Sequence, residues 1–251
     1  MALIDLHCHI LPGLDDGAGS LETAVDMALM AWRDGTDVIA ATAHCCRPDQ
    51  QGVLSKRLYA GKLQQLHGAL QEAGCPLRLV TGMEIFATPE LPELLSRKQV
   101  ISLASTRYML LEFYFDERPE FMEESLRALT DRGYTPVVAH PERYDAVQRR
   151  PELVAEWFRR GYIIQLNKGT ILGRLGAGAR RTAWWLLRRG LAHVVASDAH
   201  SADRRNPSLA HVRDTLGREL SWEYAELLLE ENPRRILEDG EITPPEEFVG
   251  K

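Results

Sequence analysis

Residues 2–9 read ALIDLHCH, and residues 193–200 read HVVASDAH. Each is a short apolar run without helical spacing that finishes on two polar side chains one residue apart. Such a run fits a strand covered on both faces, with its last residues emerging into a site. Five more runs of this kind lie between them: DVIAATAH (37–44), LRLVTGMEI (77–85), YMLLEF (108–113), TPVVAH (135–140) and YIIQLN (162–167). A helical pattern follows each.

The first of those helices is the most readable. Ser20 is placed to cap it, and Glu22 sits in the first turn, where the helix dipole favours negative charge. Leu21, Ala24, Val25, Ala28, Leu29 and Trp32 share one face, and Gly35 can end the helix. Similar patterns predict helices over roughly 55–73, 90–98, 119–132, 150–160, 178–190 and 221–231, with the tryptophans of AWWLLRRG in the core. Alternating β and α elements imply an α/β fold with a parallel sheet and right-handed crossovers. Seven such units suit a distorted (β/α)7 barrel resembling a TIM barrel, with an open doubly wound sheet as the competitor. Residues 1–251 read as a single domain, with a tail from about 242 that looks loosely held.

Six of the seven runs end in, or pass just beyond, a histidine or a carboxylate. The first delivers His7 and His9, with Asp15 and Asp16 in the loop behind them. The others contribute His44, Glu84, Glu112, His140, and the pair Asp198 and His200. Strand alternation points His7 and His9 the same way and Cys8 away from them. In a barrel all C-terminal strand ends meet on one face, so these groups would share one bowl. Carboxylates so crowded would be forced to protonate unless cations sat among them. Five imidazoles and four carboxylates match two or three divalent metals, one carboxylate bridging. Nitrogen and oxygen donors without thiolate favour Mn²⁺, Zn²⁺, Fe²⁺ or Mg²⁺. His67, His193 and His211 fall in helical or pre-strand positions and read as structural or exposed.

Three divalent ions against four carboxylates would leave a charge of about +2, which attracts an anion. A phosphoryl group is the natural guest. Metals about 3.5–4 Å apart can polarise its oxygens, hold a hydroxide for in-line attack and stabilise the leaving oxygen. Arg143 in HPERY (140–144) and Arg205 in HSADRRNP (200–207) stand where a bidentate anion clamp could use them. A cysteine-based phosphatase needs an arginine six residues after its nucleophile. Leu14, Gln51, Gly52 and Thr81 occupy that place after Cys8, Cys45, Cys46 and Cys75, which excludes the mechanism. GRLGAG (173–178) matches no phosphate-binding glycine motif. Arg180, Arg181, Arg188 and Arg189 read as a solvated face, and DERPEFMEE (116–124) as a solvated loop and helix start.

The bulk numbers agree with a soluble metalloenzyme. The chain has 251 residues, 45% hydrophobic and 26% charged, with a net charge of −6 that disfavours nucleic acid as a partner. It shows neither a signal peptide nor an uninterrupted apolar run long enough for membrane insertion, and reads as cytoplasmic. Its four cysteines form no C-x-x-C pair and suit a reducing compartment.

Taken in order, DLHCHILPGLDDG (5–17), TAH (42–44), GMEIFATPEL (82–91), LLEF (110–113), AHPERY (139–144) and SDAH (197–200) resemble the motifs of the PHP (polymerase and histidinol phosphatase) superfamily. The chain is most similar to its bacterial manganese-dependent tyrosine-protein phosphatases of capsular and exopolysaccharide synthesis, from residue 3 to about 240. The resemblance implies a trinuclear centre, Mn²⁺ above all. His7, His9, Glu84 and Asp198 would hold one ion, Glu84, Glu112 and His140 a second, and Asp16, His44 and His200 a third. Glu84 would bridge, and Arg143 and Arg205 would grip the phosphate. The resemblance alone chooses Asp16 over Asp15. It also implies phosphotyrosine as substrate, on the tail of a membrane-associated tyrosine kinase. Histidinol phosphate or another small phosphomonoester is the alternative substrate, and a non-catalytic, metal-stabilised regulatory module the alternative role; a nuclease is disfavoured by the charge. CCRPDQQG (45–52) departs from the more basic or aromatic stretch of such relatives, which bears on preference at the mouth, and Cys45 and Cys46 would make the site sensitive to oxidation.

Overall fold

A computed structural model describes residues 2–48 and 52–248. Its strands are β1 (Leu3–Cys8), β2 (Thr36–Ala41), β3 (His44–Cys45), β4 (Arg78–Thr81), β5 (Glu84–Phe86), β6 (Tyr108–Glu112), β7 (Thr135–Ala139), β8 (Ile163–Asn167) and β9 (Val194–Ala196). All ladders between them are parallel. A three-stranded sheet runs β1-β2-β4, and a six-stranded sheet runs β3-β5-β6-β7-β8-β9. The first and last strands also meet: Cys8 pairs with Ala199 in an isolated parallel bridge, and His9 N–H donates to the Ala199 carbonyl at 2.9 Å.

The sequence predicts unbroken strands over 37–44 and 77–85, and the structure divides both. The cause is Tyr59, buried on the helix Lys56–Glu72. Its hydroxyl donates to the Ala41 carbonyl at 2.9 Å and accepts from Gly82 N–H at 3.0 Å, satisfying both groups at the point where the β2–β4 ladder stops. At Gly82 a Cβ would stand 3.0 Å from both Leu103 and Thr42 side chains, so only glycine fits the break comfortably. Beyond it the chain resumes as β3 and β5, and His44 and Glu84 are their first, mutually paired residues.

Strand alternation divides the core in two. One apolar cluster takes Ile4, Leu6, Val38, Ala40, Leu110, Val137, Ala139 and Val194; a larger one takes Ile39, Ala41, Met109, Leu111, Val138 and Val195 together with the helices. The helices Leu91–Ser96, Pro119–Thr130, Glu152–Arg159 and Ala177–Leu187 follow their strands. The first helix, Leu21–Arg33, is capped by Ser20, which accepts from Thr23 N–H at 3.1 Å, and Gly35 leaves it at φ +91°. Its buried stripe is Ala24, Met27, Ala28 and Ala31, rotated from the expected face, so Trp32 is 39% exposed rather than in the core. Trp184 and Trp185 are likewise only half-buried, with the guanidinium groups of Arg188 and Arg189 lying 5.6 and 4.0 Å from their rings.

Two features near the end differ from expectation. The helix Ala210–Glu219 was not predicted, and the helix expected over 221–231 runs from Trp222 to Leu237 through a π turn at Leu227–Glu231. That widened turn precedes Pro233, which has no N–H to offer the Leu229 carbonyl. The described part of the tail is docked rather than loose. Asn232 brackets Thr243 through its carbonyl and N–H at 3.1 and 3.0 Å, and Pro245 is buried. Gly190 lies under this turn at φ +63°, where a Cβ would come within 2.7 Å of Glu246 Cα. Residues 249–251, and Asp49, Gln50 and Gln51 of the mouth stretch, lie outside the described residues. Among the described residues no helix is long and apolar enough to cross a membrane.

Candidate metal centre

The strands and the loops beyond them bring the nine residues together, His44 and Glu84 from the starts of β3 and β5. Four overlapping groups place one donor atom per residue within 4.8 Å of one another: His9, Asp16, His44 and His200; His7, Glu84 and His140; His7, His9 and Asp198; and His44, Glu84 and Glu112. Glu84 is the hub. One carboxylate oxygen lies 3.1 Å from both His7 Nε2 and His140 Nε2, and the other lies 3.2 Å from His9 Nε2 and 2.9 Å from His44 Nδ1. All but Asp16 are buried or nearly so; Asp16 is 54% exposed at the rim.

Local backbone conformation supports this convergence. His140 and Asp198 adopt left-handed conformations, φ 35° and 50°, turning the chain sharply where β7 and β9 end. Non-glycine residues in that region are strained, and such strain collects at functional sites. The loop after His9 folds back on it, and a Cβ at Gly17 would stand 2.2 Å from the His9 carbonyl oxygen.

A surrounding layer fixes which nitrogen of the His7 and His9 rings faces inward. Gln165 accepts from His7 Nδ1 at 2.9 Å, and Asp15 accepts from His9 Nδ1 at 2.8 Å, leaving both Nε2 atoms for the centre. Asp15 also accepts from His44 N–H and Gly17 N–H, each at 2.9 Å. The two aspartates that the sequence could not separate thus part: Asp16 joins the donor cluster, and Asp15 holds the His9 ring and the His44 backbone behind it. Asn167 Nδ2 donates to Asp198 Oδ2 at 2.5 Å, holding that carboxylate from the opposite side.

The donor set suits divalent cations. His44 Nδ1, Glu84 Oε2, Glu112 Oε2 and His140 Nδ1 are buried without a hydrogen-bond partner, the short His44–Glu84 approach being badly angled for one. Burial, and then the charge of Glu84, push the Glu112 carboxyl well above the ordinary range. Burial holds His140 down to about 4, so at neutral pH its ring keeps a free lone pair. At the rim, a hydrogen bond to His200 lowers the Asp16 carboxyl. Buried polar atoms left without partners among so many carboxylates and imidazoles are what bound cations would relieve.

A pocket of about 200 Å³ opens onto these groups, lined also by Arg143 and Arg205. Both guanidinium groups reach the same oxygen, Asp198 Oδ2, at 3.3 and 2.6 Å. Each guanidinium has five N–H donors, more than this one carboxylate oxygen uses. Sequence reasoning missed two lining residues, Arg47 and Phe115. Arg47 Nη1 lies 3.3 Å from His44 Nε2 and 3.6 Å from Glu112 Oε2; its signal was its place three residues after His44. Cys45 and Cys46 are buried thiols 3.3 Å apart beside His44. His193 is buried and accepts from Ile164 N–H, while His67 and His211 are exposed; none joins the centre.

Similarity to known proteins agrees with this geometry. Residues 3–238 match the family described as capsular polysaccharide synthesis, CpsB/CapC. Tyrosine-protein phosphatase YwqE of Bacillus subtilis (strain 168) is 36% identical over 236 residues, covering 90% of this chain and 91% of that protein. A crystal structure from work on YwqE and on CpsB from Streptococcus pneumoniae, described as unique metal-dependent tyrosine phosphatases, superposes with a TM-score of 0.89 at 33% identity, covering 99% of this chain and 100% of the other. The histidinol phosphate phosphatase of Lactococcus lactis subsp. lactis Il1403 shares the fold, with a TM-score of 0.55 at 16% identity over 87% of this chain and 93% of its own. A family match that runs from β1 to the helix before the tail takes in every strand that feeds the centre, and the chain belongs to the CpsB/CapC family.

Proposed function

We propose that the chain is a metal-dependent protein-tyrosine phosphatase that releases phosphate from phosphotyrosine. The observation that carries this reading is Glu84, buried among four imidazoles, with a ring nitrogen of each within 3.2 Å of one of its oxygens and Oε2 left without a hydrogen-bond partner. The likeness to YwqE and to the metal-dependent tyrosine phosphatase structure supports the substrate class. In the same reading the sheets form a distorted (β/α)7 barrel, drawn closed by the Cys8–Ala199 bridge. The physiological substrate would be the tail of a membrane-associated tyrosine kinase of polysaccharide synthesis, met in the cytoplasm.

His7, His9, Glu84 and Asp198 would hold one divalent ion, Glu84, Glu112 and His140 a second, and Asp16, His44 and His200 a third, with Mn²⁺ the preferred occupant. When bound, such ions supply charge neutralisation at the phosphoryl oxygens and a nucleophile at neutral pH. The remaining work falls to the chain. Glu84 is placed to bridge, since each of its oxygens faces a different pair of rings. Gln165 and Asp15 fix the orientations of the His7 and His9 rings, so those two donors need no reorganisation on binding. Arg143 and Arg205 would grip the phosphate with donors not used on Asp198, orienting the ester for in-line displacement.

The test is turnover of a phosphotyrosine peptide by purified protein supplied with Mn²⁺, followed as phosphate release. Activity that vanishes with chelator and returns with metal is the expected result. No release under those conditions sinks the reading. A higher kcat/KM for histidinol phosphate than for the peptide would keep the chemistry and change the substrate.

A further inference from the structure

We infer that Phe115 is the platform for the substrate's aromatic ring and sets a preference for aryl over alkyl phosphomonoesters. The inference rests on the phosphatase reading above and deepens it. Among the described residues lining the central pocket, all but one are acids, arginines or histidines; the exception is Phe115. Its side chain is an apolar surface that the pocket offers to whatever the phosphoryl group is attached to.

Phe115 follows Glu112 by three residues and is 44% exposed, so an apolar ring stands in water at the rim of a charged site. Its position is fixed on two sides. Its backbone carbonyl accepts from Asp145 N–H at 2.7 Å, tying it to the segment that carries Arg143. The Arg143 guanidinium lies 4.3 Å from the ring centroid, and His140 meets the ring edge to face at 6.3 Å. A phosphate held by Arg143 therefore sits next to this ring, and the group bonded to the phosphate leaves the pocket alongside it. An aryl leaving group can stack there, and an alkyl one gains far less. The neighbouring Tyr114 does not line the pocket; 45% exposed, it packs against Phe86 at 4.5 Å.

Support for Arg143 alone would also explain the contact, and the two accounts predict different things. If Phe115 only steadies Arg143, its loss weakens every phosphoryl ligand equally. If it carries the aryl ring, the loss falls on aryl ligands alone.

The experiment uses Mn²⁺-loaded full-length protein and two uncleavable competitors, phenylphosphonate and methylphosphonate, against a phosphotyrosine peptide. Wild type should bind phenylphosphonate more tightly than methylphosphonate. Phe115→Ala should raise the inhibition constant for phenylphosphonate by about 2- to 12-fold, leave that for methylphosphonate unchanged, and be rescued by Phe115→Trp. Equal weakening of both ligands, no weakening of either, or no wild-type preference would overturn the inference. If wild type neither hydrolyses the peptide nor binds either phosphonate, the phosphatase reading falls first. Turnover with an unaltered ligand ratio in Phe115→Ala removes this inference only.

Discussion

Replacing Asp15 by Asn alters a residue that belongs to none of the donor groups, yet it should loosen the whole centre. The buried carboxylate receives three donors: His9 Nδ1 at 2.8 Å and His44 N–H at 2.9 Å on one oxygen, and Gly17 N–H at 2.9 Å on the other. An amide has one acceptor and an NH₂ group, so whichever way it turns, the NH₂ faces an N–H. At least one buried donor is left unsatisfied, at about 1–3 kcal/mol. The lost charge adds to this. Burial works against ionisation of both groups, yet Asp15 holds the His9 ring well above its ordinary range, and His9 holds Asp15 below its own. Partners of this type typically change metal affinity or activity by about 10- to 100-fold. Dialysis against graded chelator, with bound Mn²⁺ measured by elemental analysis, should show Asp15→Asn releasing metal at correspondingly lower chelator, with excess Mn²⁺ restoring much of the activity. Metal retention and turnover equal to wild type would refute the idea that Asp15 orients the His9 and His44 donors.

Three further perturbations probe other parts. Arg143→Ala should keep its metals and lower kcat/KM for a phosphotyrosine peptide by about 10- to 150-fold, the worth of charged hydrogen bonds of about 1.5–3 kcal/mol; an unchanged kcat/KM contradicts the clamp. Lys168 is a buried ammonium that donates to the Asn206 carbonyl and, at 3.0 and 2.6 Å, to Asn206 Oδ1 and the Ser208 carbonyl, just beyond Arg205. Lys168→Met should lower Tm and raise KM through a loosened Arg205 segment while metal content holds; an unmoved KM would limit Lys168 to stability. Burial holds His193 down to about 3, whereas in the unfolded chain its ring protonates near pH 6.5. The folded value is the lower one, so this contribution to stability is complete above about pH 6.5 and is lost as pH falls towards 3. His193→Asn should therefore flatten that part of the acid-unfolding profile of metal-free protein, and a profile parallel to wild type would contradict it.

Much of this was legible in the letters because strands buried on both faces leave few places for polar groups. The apolar runs before His7, Glu112, His140 and Asp198 could only be strands, and their polar ends could only gather at one face. What the letters hid depends on single side chains acting across the sequence. Nothing in the 37–44 or 77–85 patterns shows that the Tyr59 hydroxyl enters between them and moves His44 and Glu84 onto separate short strands. Asp15 and Asp16 are equivalent in sequence; only in the fold does Asp15 take the Gly17 and His44 N–H groups and leave Asp16 to the pocket. The helix Ala210–Glu219 buries only Val212, Leu216 and Gly217, a stripe too narrow to read, with Gly217 so near the Trp222 ring that a Cβ would fall 2.4 Å from it. Trp32 misled because a first-helix stripe of alanines lets the helix pack closely and turns the larger residue outward.

Nine side chains gathered from the strands and the loops beyond them form one multinuclear centre in this reading. Anomalous diffraction at the manganese edge from crystals of Mn²⁺-loaded protein tests it most directly. Three peaks should appear, enclosed by His7, His9, Asp16, His44, Glu84, Glu112, His140, Asp198 and His200, with Glu84 touching two of them. A single peak, peaks elsewhere on the chain, or none at saturating Mn²⁺ would contradict it.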